Sequence, residues 1–194
     1  MERLGIFGGT FDPVHVGHLA AACAAHHQLR LSRLLIVVAR DPWQKHGSVG
    51  APAEDRLAMV EAAIAGVDGL EASRLELDRP GPTYTIDTVE QLQQTGREIV
   101  LIVGGDVAAH IETWHRVDDL RAAVTLAVVD RDEGGAPLRA AGEGWRVEHV
   151  LMPRLDVSST DLRRRVAAGE PVEFLVPVPA VKVLQARGLY TGGR

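Results

Sequence analysis

The stretch GIFGGTFDPVHVGH, residues 5–18, decides how this chain is read. A short apolar run ends in Gly8-Gly9, Asp12-Pro13 forces a turn, and a helical pattern begins near Val16. Gly8 and Gly9 carry no side chain where a phosphate would approach the backbone. A helix start adds unpaired N–H groups and a partial positive charge. His15 and His18 are three apart, so within one first turn they share a face, and Gly17 between them leaves room for a nucleotide against the helix. Imidazoles at such a place donate hydrogen bonds to phosphate oxygens, more strongly when protonated. The bland alternative is a capped helix whose histidines face solvent. A metal site has no third ligand nearby.

Outward from this turn, short apolar runs alternate with segments of helical period. Strands are expected at 4–7, 34–39, within 70–77, and at 99–103, 124–129 and 147–152. Helices are expected at 16–29, 53–65, 85–94, 107–111, 117–122, 159–168 and 179–187, with Gly96 and Gly188 placed beyond two helix ends. Residues 131–144, rich in glycine, alanine and charge, read as a surface loop. Strand-helix alternation implies an α/β fold: one doubly wound, Rossmann-like parallel sheet with helices on both faces, and a small helical part over 153–194. The whole of 1–194 reads as a single domain. Ligands of such sheets bind beyond the strands' carboxyl ends, so the strand-to-helix turns are where chemistry is sought.

Composition narrows the classes. With 46% hydrophobic and 24% charged residues the chain can build a core, and its net charge of -5 offers no general attraction to nucleic acid or to an anionic membrane. Cys23 is the single cysteine, so no internal disulfide forms and a reducing compartment fits. The start MERLGIFGG has neither the basic beginning nor the apolar stretch of a signal peptide, which points to the cytoplasm. Of 21 basic residues only Lys45 and Lys182 are lysines, a bias that reads as genomic base composition.

Three further turns carry unusual chemistry. DPWQKHG, residues 41–47, places Lys45 and His46 where mobile positive charge suits phosphates, although alone it reads as a solvated loop. GPTYTIDT (81–88) joined with GGDVAAHIETWH (104–115) forms the second; Thr83 or Thr85 is suited to cap the helix that follows, and a helix cap is also an alternative for Asp106. DVSSTDLRRRV (156–166) opens a helix with Ser158, Ser159 and Thr160 and follows with Arg163, an anion-binding combination of hydroxyls, amides and a guanidinium. Arg164 and Arg165 read as solvated or salt-bridged.

GTFDPVHVGH resembles the HxGH signature of the nucleotidyltransferase superfamily. With the later motifs, from Gly5 to Tyr190, the chain is similar to the bacterial nicotinate mononucleotide adenylyltransferases. The resemblance implies adenylyl transfer from ATP to nicotinate mononucleotide, giving nicotinate adenine dinucleotide and pyrophosphate, with Mg²⁺ carried on the ATP phosphates. Val157 and Leu162 replace isoleucines of the family's ISSTxIR motif, and Pro42-Trp43-Gln44-Lys45 stands where many members have Pro-Pro-His-Lys. By resemblance His15, His18, Lys45 and Arg163 are catalytic, Lys45 and Arg163 through the phosphates. ATP contacts fall to Gly8, Gly9, Thr10, Phe11, Gly104, Asp106, Ser158, Ser159 and Thr160, with Asp106 on the adenylate ribose. Thr83, Tyr84, Thr85, Trp114 and His115 receive the nicotinate mononucleotide. Trp114 stacks on the pyridine ring, an electron-poor plane against an indole face. Its carboxylate is met by backbone N–H groups near Tyr84 and His115, since neither stretch holds an arginine.

A nicotinamide mononucleotide or phosphopantetheine adenylyltransferase, or a cytidylyltransferase, shares the HxGH motif; the TYT segment and the Trp114 region argue against the latter two, whose substrates lack a pyridine. A class I aminoacyl-tRNA synthetase fragment would need a KMSKS-like loop and basic surface. A dehydrogenase would need GxGxxG after the first strand, which Gly5, Gly8 and Gly9 do not make. A nucleotide-binding module without chemistry remains, and a homo-oligomer is left open.

Overall fold

The computed structural model describes residues 2–40, 50–93, 96–130 and 142–191. The elements in order are β1 (Glu2–Gly9), α1 (Val16–Gln28), β2 (Arg33–Val38), α2 (Ala53–Ile64), β3 (Leu70–Ser73), α3 (Leu75–Asp78), α4 (Thr85–Leu92) and β4 (Arg97–Gly104). After them come α5 (Gly105–Ala108), a 3-10 turn at Ile111–Thr113, α6 (Val117–Ala123), β5 (Val124–Asp130), β6 (Val147–Leu151), α7 (Ser159–Ala167) and α8 (Val178–Ala186). Every strand expected from the sequence is present. β1 and β4 extend beyond their apolar runs at both ends, because ladder pairing with neighbours recruits flanking residues such as Glu2 and Arg97. Within 70–77 only Leu70–Ser73 is strand; Leu75–Asp78 turns into helix.

All pairings are parallel, in the order β3-β2-β1-β4-β5-β6. The chain winds outward from β1 to β3, crosses back over, and continues from β4, so the order reverses between β1 and β4. At that seam the loops leaving adjacent strands diverge to opposite faces and open a crevice.

Strand residues alternate between two apolar cores, one on each face of the sheet. Leu4, Ile6, Leu35, Val37, Leu101 and Val103 pack with Ile86, Val89 and Leu120 from α4 and α6. Ile36, Val38, Val100 and Ile102 pack on the other face with Ala22 and Ala25 of α1, Val60 of α2 and Leu184 of α8. Leu162, fully buried, seats α7 in this second core and so fixes the segment that precedes it. Among the described residues no helix is long and apolar enough to cross a membrane.

Candidate active site

Beyond the carboxyl ends of β1 and β4 lies a cleft of about 780 Å³. Its walls come from four separate turns. Gly8, Gly9, Thr10, Phe11, His15 and His18 line it from the first, and Gly104, Asp106, Trp114 and His115 from the segment after β4. Thr83, Tyr84 and Thr85 enter from the start of α4, and Ser158, Ser159, Thr160 and Arg163 from the start of α7. Lys45, with Trp43, lies outside the described residues.

The first turn is tightly built. Phe11 sits at φ 50°, a left-handed conformation uncommon for a bulky side chain, and the Asp12–Pro13 peptide is cis. This geometry folds the Phe11 ring back over Gly9, where an added Cβ would stand 2.7 Å from the ring. Gly9 is therefore bare to admit Phe11, whereas Gly8 has open space around it. Phe11 in turn meets the His18 ring edge-on at 5.0 Å.

His15 precedes α1 as its N-cap, with extended backbone, and His18 is the third residue of the helix. The two rings stack at 3.6 Å, so the shared face expected from the spacing is realised. The His15 backbone N–H donates to His18 Nδ1 at 3.3 Å. A ring nitrogen that accepts is unprotonated, which leaves Nε2 of a neutral His18 as the N–H donor. Gly17 lines the cleft, but the space its missing side chain leaves is bounded by the chain itself. A Cβ there would meet Val157 Cγ1 at 3.0 Å and His15 Nδ1 at 3.1 Å, so its bareness lets the helix tip, the His15 ring and the segment before α7 close on one another.

The fourth turn is pinned directly onto the first. The Ser159 hydroxyl donates to the Pro13 carbonyl at 3.0 Å, and Arg163 Nη1 donates to the Asp12 carbonyl at 2.8 Å. Ser158 is the N-cap of α7, its hydroxyl accepting the Asp161 amide at 3.2 Å. The single O–H of Ser159 is thus committed within the chain, while Thr160 and Arg163 also line the cleft. Arg164 and Arg165 pair with Asp161, and Arg164 also with Glu170, as expected of salt-bridged surface arginines.

Also lining the cleft, Tyr84 and His115 bring their rings to 4.2 Å. Neither Thr83 nor Thr85 caps α4: the N-cap is Tyr84, with no side-chain cap bond. Thr83 is buried and gives its hydroxyl to Glu76 instead. The sequence signal for a cap was the residue type alone, and in the structure neither threonine oxygen accepts a helix amide. Asp106 is not a cap either; it lies inside α5, whose N-cap is Gly104. The Trp114 indole N–H is buried with no hydrogen-bond partner among the described residues, an unmet donor at the edge of the cleft.

Glu76 was not foreseen. It is half-buried, lines the cleft, and accepts from the Thr88 hydroxyl at 3.1 Å. Burial pushes its carboxyl up from the ordinary value, against the Thr88 and Thr83 hydroxyls, which hold it down. Two buried charges behind the first turn were also unforeseen. Arg56, 1% exposed, bonds the carbonyls of Ala51, Thr10 and Arg40. Asp12, 2% exposed, accepts from the amides of Gly50 and Ala51 and from the Tyr190 hydroxyl. Asp12 announces only a turn when it stands before proline; its carboxylate's partners are 38 to 178 residues away, and no local pattern shows them.

Comparison with known proteins agrees with this geometry. The cytidylyltransferase-like family model matches residues 6–165. A relative from Roseiflexus sp. (strain RS-1) named "Probable nicotinate-nucleotide adenylyltransferase" is 42% identical, covering 96% of this chain and 97% of its own. One of the same name from Saccharopolyspora erythraea is 41% identical over 98% of this chain and 91% of its own. The structure of Plasmodium falciparum nicotinic acid mononucleotide adenylyltransferase complexed with NaAD has a TM-score of 0.78 and 15% identity, with 98% of each chain covered, a likeness of fold. The match across most of the chain and relatives at this identity place it in a family: the chain belongs to the cytidylyltransferase-like proteins, among the nicotinate-nucleotide adenylyltransferases.

Proposed function

We propose that this chain transfers the adenylyl group of ATP to nicotinate mononucleotide, giving nicotinate adenine dinucleotide and pyrophosphate in NAD biosynthesis. One observation carries the reading: four turns far apart in sequence converge on one cleft, with two stacked imidazoles and a guanidinium at one end and an aromatic cluster at the other.

In this mechanism a 5′-phosphate oxygen of the mononucleotide attacks the α-phosphorus of ATP in line. A new P–O bond forms, the bond to the β-phosphate oxygen breaks, and pyrophosphate leaves with the electron pair. The nucleophile is already an anion, so the chain need supply no general base, and no covalent enzyme intermediate arises. Catalysis is alignment and charge neutralisation. His15 and His18 contact the reacting phosphates, His18 through its Nε2 proton, while Arg163 and the amides that open α7 hold the leaving pyrophosphate. Lys45 assists by resemblance. Asp106 receives the adenylate ribose, and Trp114, Tyr84 and His115 enclose the pyridine ring, where the unmet indole N–H adds a donor to the backbone amides.

Among the described residues no group of three or more His, Cys, Asp or Glu side chains is assembled to hold a metal ion. The phosphate end, made of imidazole, hydroxyl, amide and guanidinium donors, fits a polyphosphate that brings its own ion. Mg²⁺ so carried neutralises phosphate charge and needs few protein ligands.

The test is pyrophosphate release from ATP and Mg²⁺ with four acceptors: nicotinate mononucleotide, nicotinamide mononucleotide, phosphopantetheine and none. Release that is fastest with nicotinate mononucleotide supports the reading. Release only with phosphopantetheine replaces it with another adenylyltransferase, and ATP binding without release replaces it with a binding module.

A further inference from the structure

We propose that Tyr190, acting through Asp12, is a positioning residue for Arg163. The inference rests on the phosphate-binding role of Arg163 given above.

Asp12 is an odd residue to find buried at a site for a triphosphate, since its carboxylate would repel the ligand. Its surroundings resolve the conflict. Oδ2 accepts the Gly50 amide at 2.6 Å and faces Arg163 Nη1 at 3.5 Å. Oδ1 accepts the Ala51 amide at 3.1 Å and the Tyr190 hydroxyl at 2.7 Å. Four donors absorb its charge, and one of them is the guanidinium that the mechanism needs.

The same Arg163 Nη1 also donates to the Asp12 backbone carbonyl, so one residue fixes the guanidinium through two acceptors. A guanidinium has five N–H donors in a rigid fork, so anchoring through Nη1 is compatible with a phosphate contact and sets its direction. The Asp12 carboxylate thus helps to aim Arg163, and Oδ1 of that carboxylate is held in turn by the Ala51 amide and the Tyr190 hydroxyl.

Packing supports the same unit. A methyl added at Gly50 would stand 2.8 Å from Arg163 Cδ and 3.0 Å from the Tyr190 ring, so the arginine stem and the tyrosine ring both close over that glycine. Tyr190 is held neutral as well: burial and the adjoining Asp12 carboxylate push its hydroxyl far above the ordinary range, which keeps it a donor. The turn after α8 thereby reaches the phosphate end of the cleft from near the end of the chain.

The test compares wild type, Tyr190→Phe, Arg163→Ala and the double variant, measuring the Kd for ATP by titration, kcat/KM for ATP, and KM for nicotinate mononucleotide. Tyr190→Phe is expected to weaken ATP binding about tenfold, the scale of one hydrogen bond to a charged group. KM for the mononucleotide stays within about twofold, and Tyr190→Phe adds no further loss in the Arg163→Ala background. Unchanged ATP binding, equal losses for both substrates, or a tenfold loss that persists without Arg163 overturns the proposal. If Tyr190→Phe does not fold, Gly50→Ala, which displaces the same two side chains, takes its place with the same expected and overturning results. Absence of pyrophosphate release by wild type would sink the adenylyl-transfer reading, while the ATP titrations would still decide the role of Tyr190.

Discussion

Gly17→Ala isolates the question of how accurately the His15 ring must be held. The new methyl would stand 3.0 Å from Val157 Cγ1 and 3.1 and 3.2 Å from His15 Nδ1 and Cε1. Ordinary carbon contacts lie at about 3.5–4.0 Å, so each neighbour must yield by roughly 0.5 Å. The His15 ring cannot slide toward His18, which already stacks on it at 3.6 Å, so the ring must rotate or the helix tip must tilt. Two stability effects oppose one another. Alanine gains up to about 1 kcal/mol over glycine in a helix, less in a first turn, while overpacking costs about 1–3 kcal/mol. The net is a loss of at most about 3 kcal/mol, a fall in Tm of up to roughly 12 °C for a chain of this size. Activity is more sensitive. A misplacement of 1 Å can cost about a hundredfold, so half that displacement predicts a loss of about tenfold in kcat. Pyrophosphate release at saturating ATP and mononucleotide, beside a thermal melt, reads both. A kcat within twofold of wild type in a protein that melts normally would show that the place of the His15 ring does not govern transfer. Failure to fold would show that Gly17 serves the scaffold first.

The other expectations are briefer. His18→Ala should lower kcat by about two to three orders of magnitude, the scale of a lost preorganised donor, and near-normal turnover refutes the role. It should also cost stability, about 0.5–2 kcal/mol, because His18 Nδ1 receives the backbone N–H that opens α1; a melt identical to wild type would contradict that contact. Glu76 has a folded-state pKa raised by burial, so its contribution favours the folded state at low pH and is lost as pH rises through the ordinary carboxylate range toward the raised value. Glu76→Gln should therefore melt higher relative to wild type at pH 7 than at pH 4, and a gap that does not change with pH removes Glu76 from the account. The ring end should prefer the acid mononucleotide, because converging N–H donors lose a charged partner when the carboxylate becomes an amide. Equal kcat/KM for the acid and amide forms would mean that the pyridine end is wrongly placed.

What could be read in the sequence depended on the distance over which each signal acts. Runs such as 99–103 and 124–129 are buried on both faces, so their apolar character survives any tertiary context and marks strands directly. The HxGH turn and the SST helix start are equally legible, because hydroxyls and imidazoles at helix tips are local patterns. Thr83 shows where that legibility ends. Its residue type and position suit a cap, yet the structure turns its hydroxyl to Glu76, a partner that no window around α4 contains. Gly9 and Gly17 likewise look like openings for a ligand; both line the cleft, yet the space a side chain would need is taken at one by Phe11 and at the other by His15 and Val157. A glycine reports that space is needed without saying what will occupy it.

Asp12 makes the general point sharpest. Read locally it is half of an Asp-Pro turn, and that reading is correct. The same carboxylate also gathers Gly50, Ala51, Arg163 and Tyr190 around one buried charge, joining the first turn, the stem before α2, helix α7 and the turn after α8. Residues that meet a ligand are chosen for chemistry and recur as motifs. Residues that hold them are chosen for geometry and are scattered wherever the fold returns to the site. Such scattered supports have to be searched for in the structure by asking which buried charge each ligand-facing cation leans upon; for Arg163, the path leads through Asp12 to a tyrosine 178 residues further along the chain.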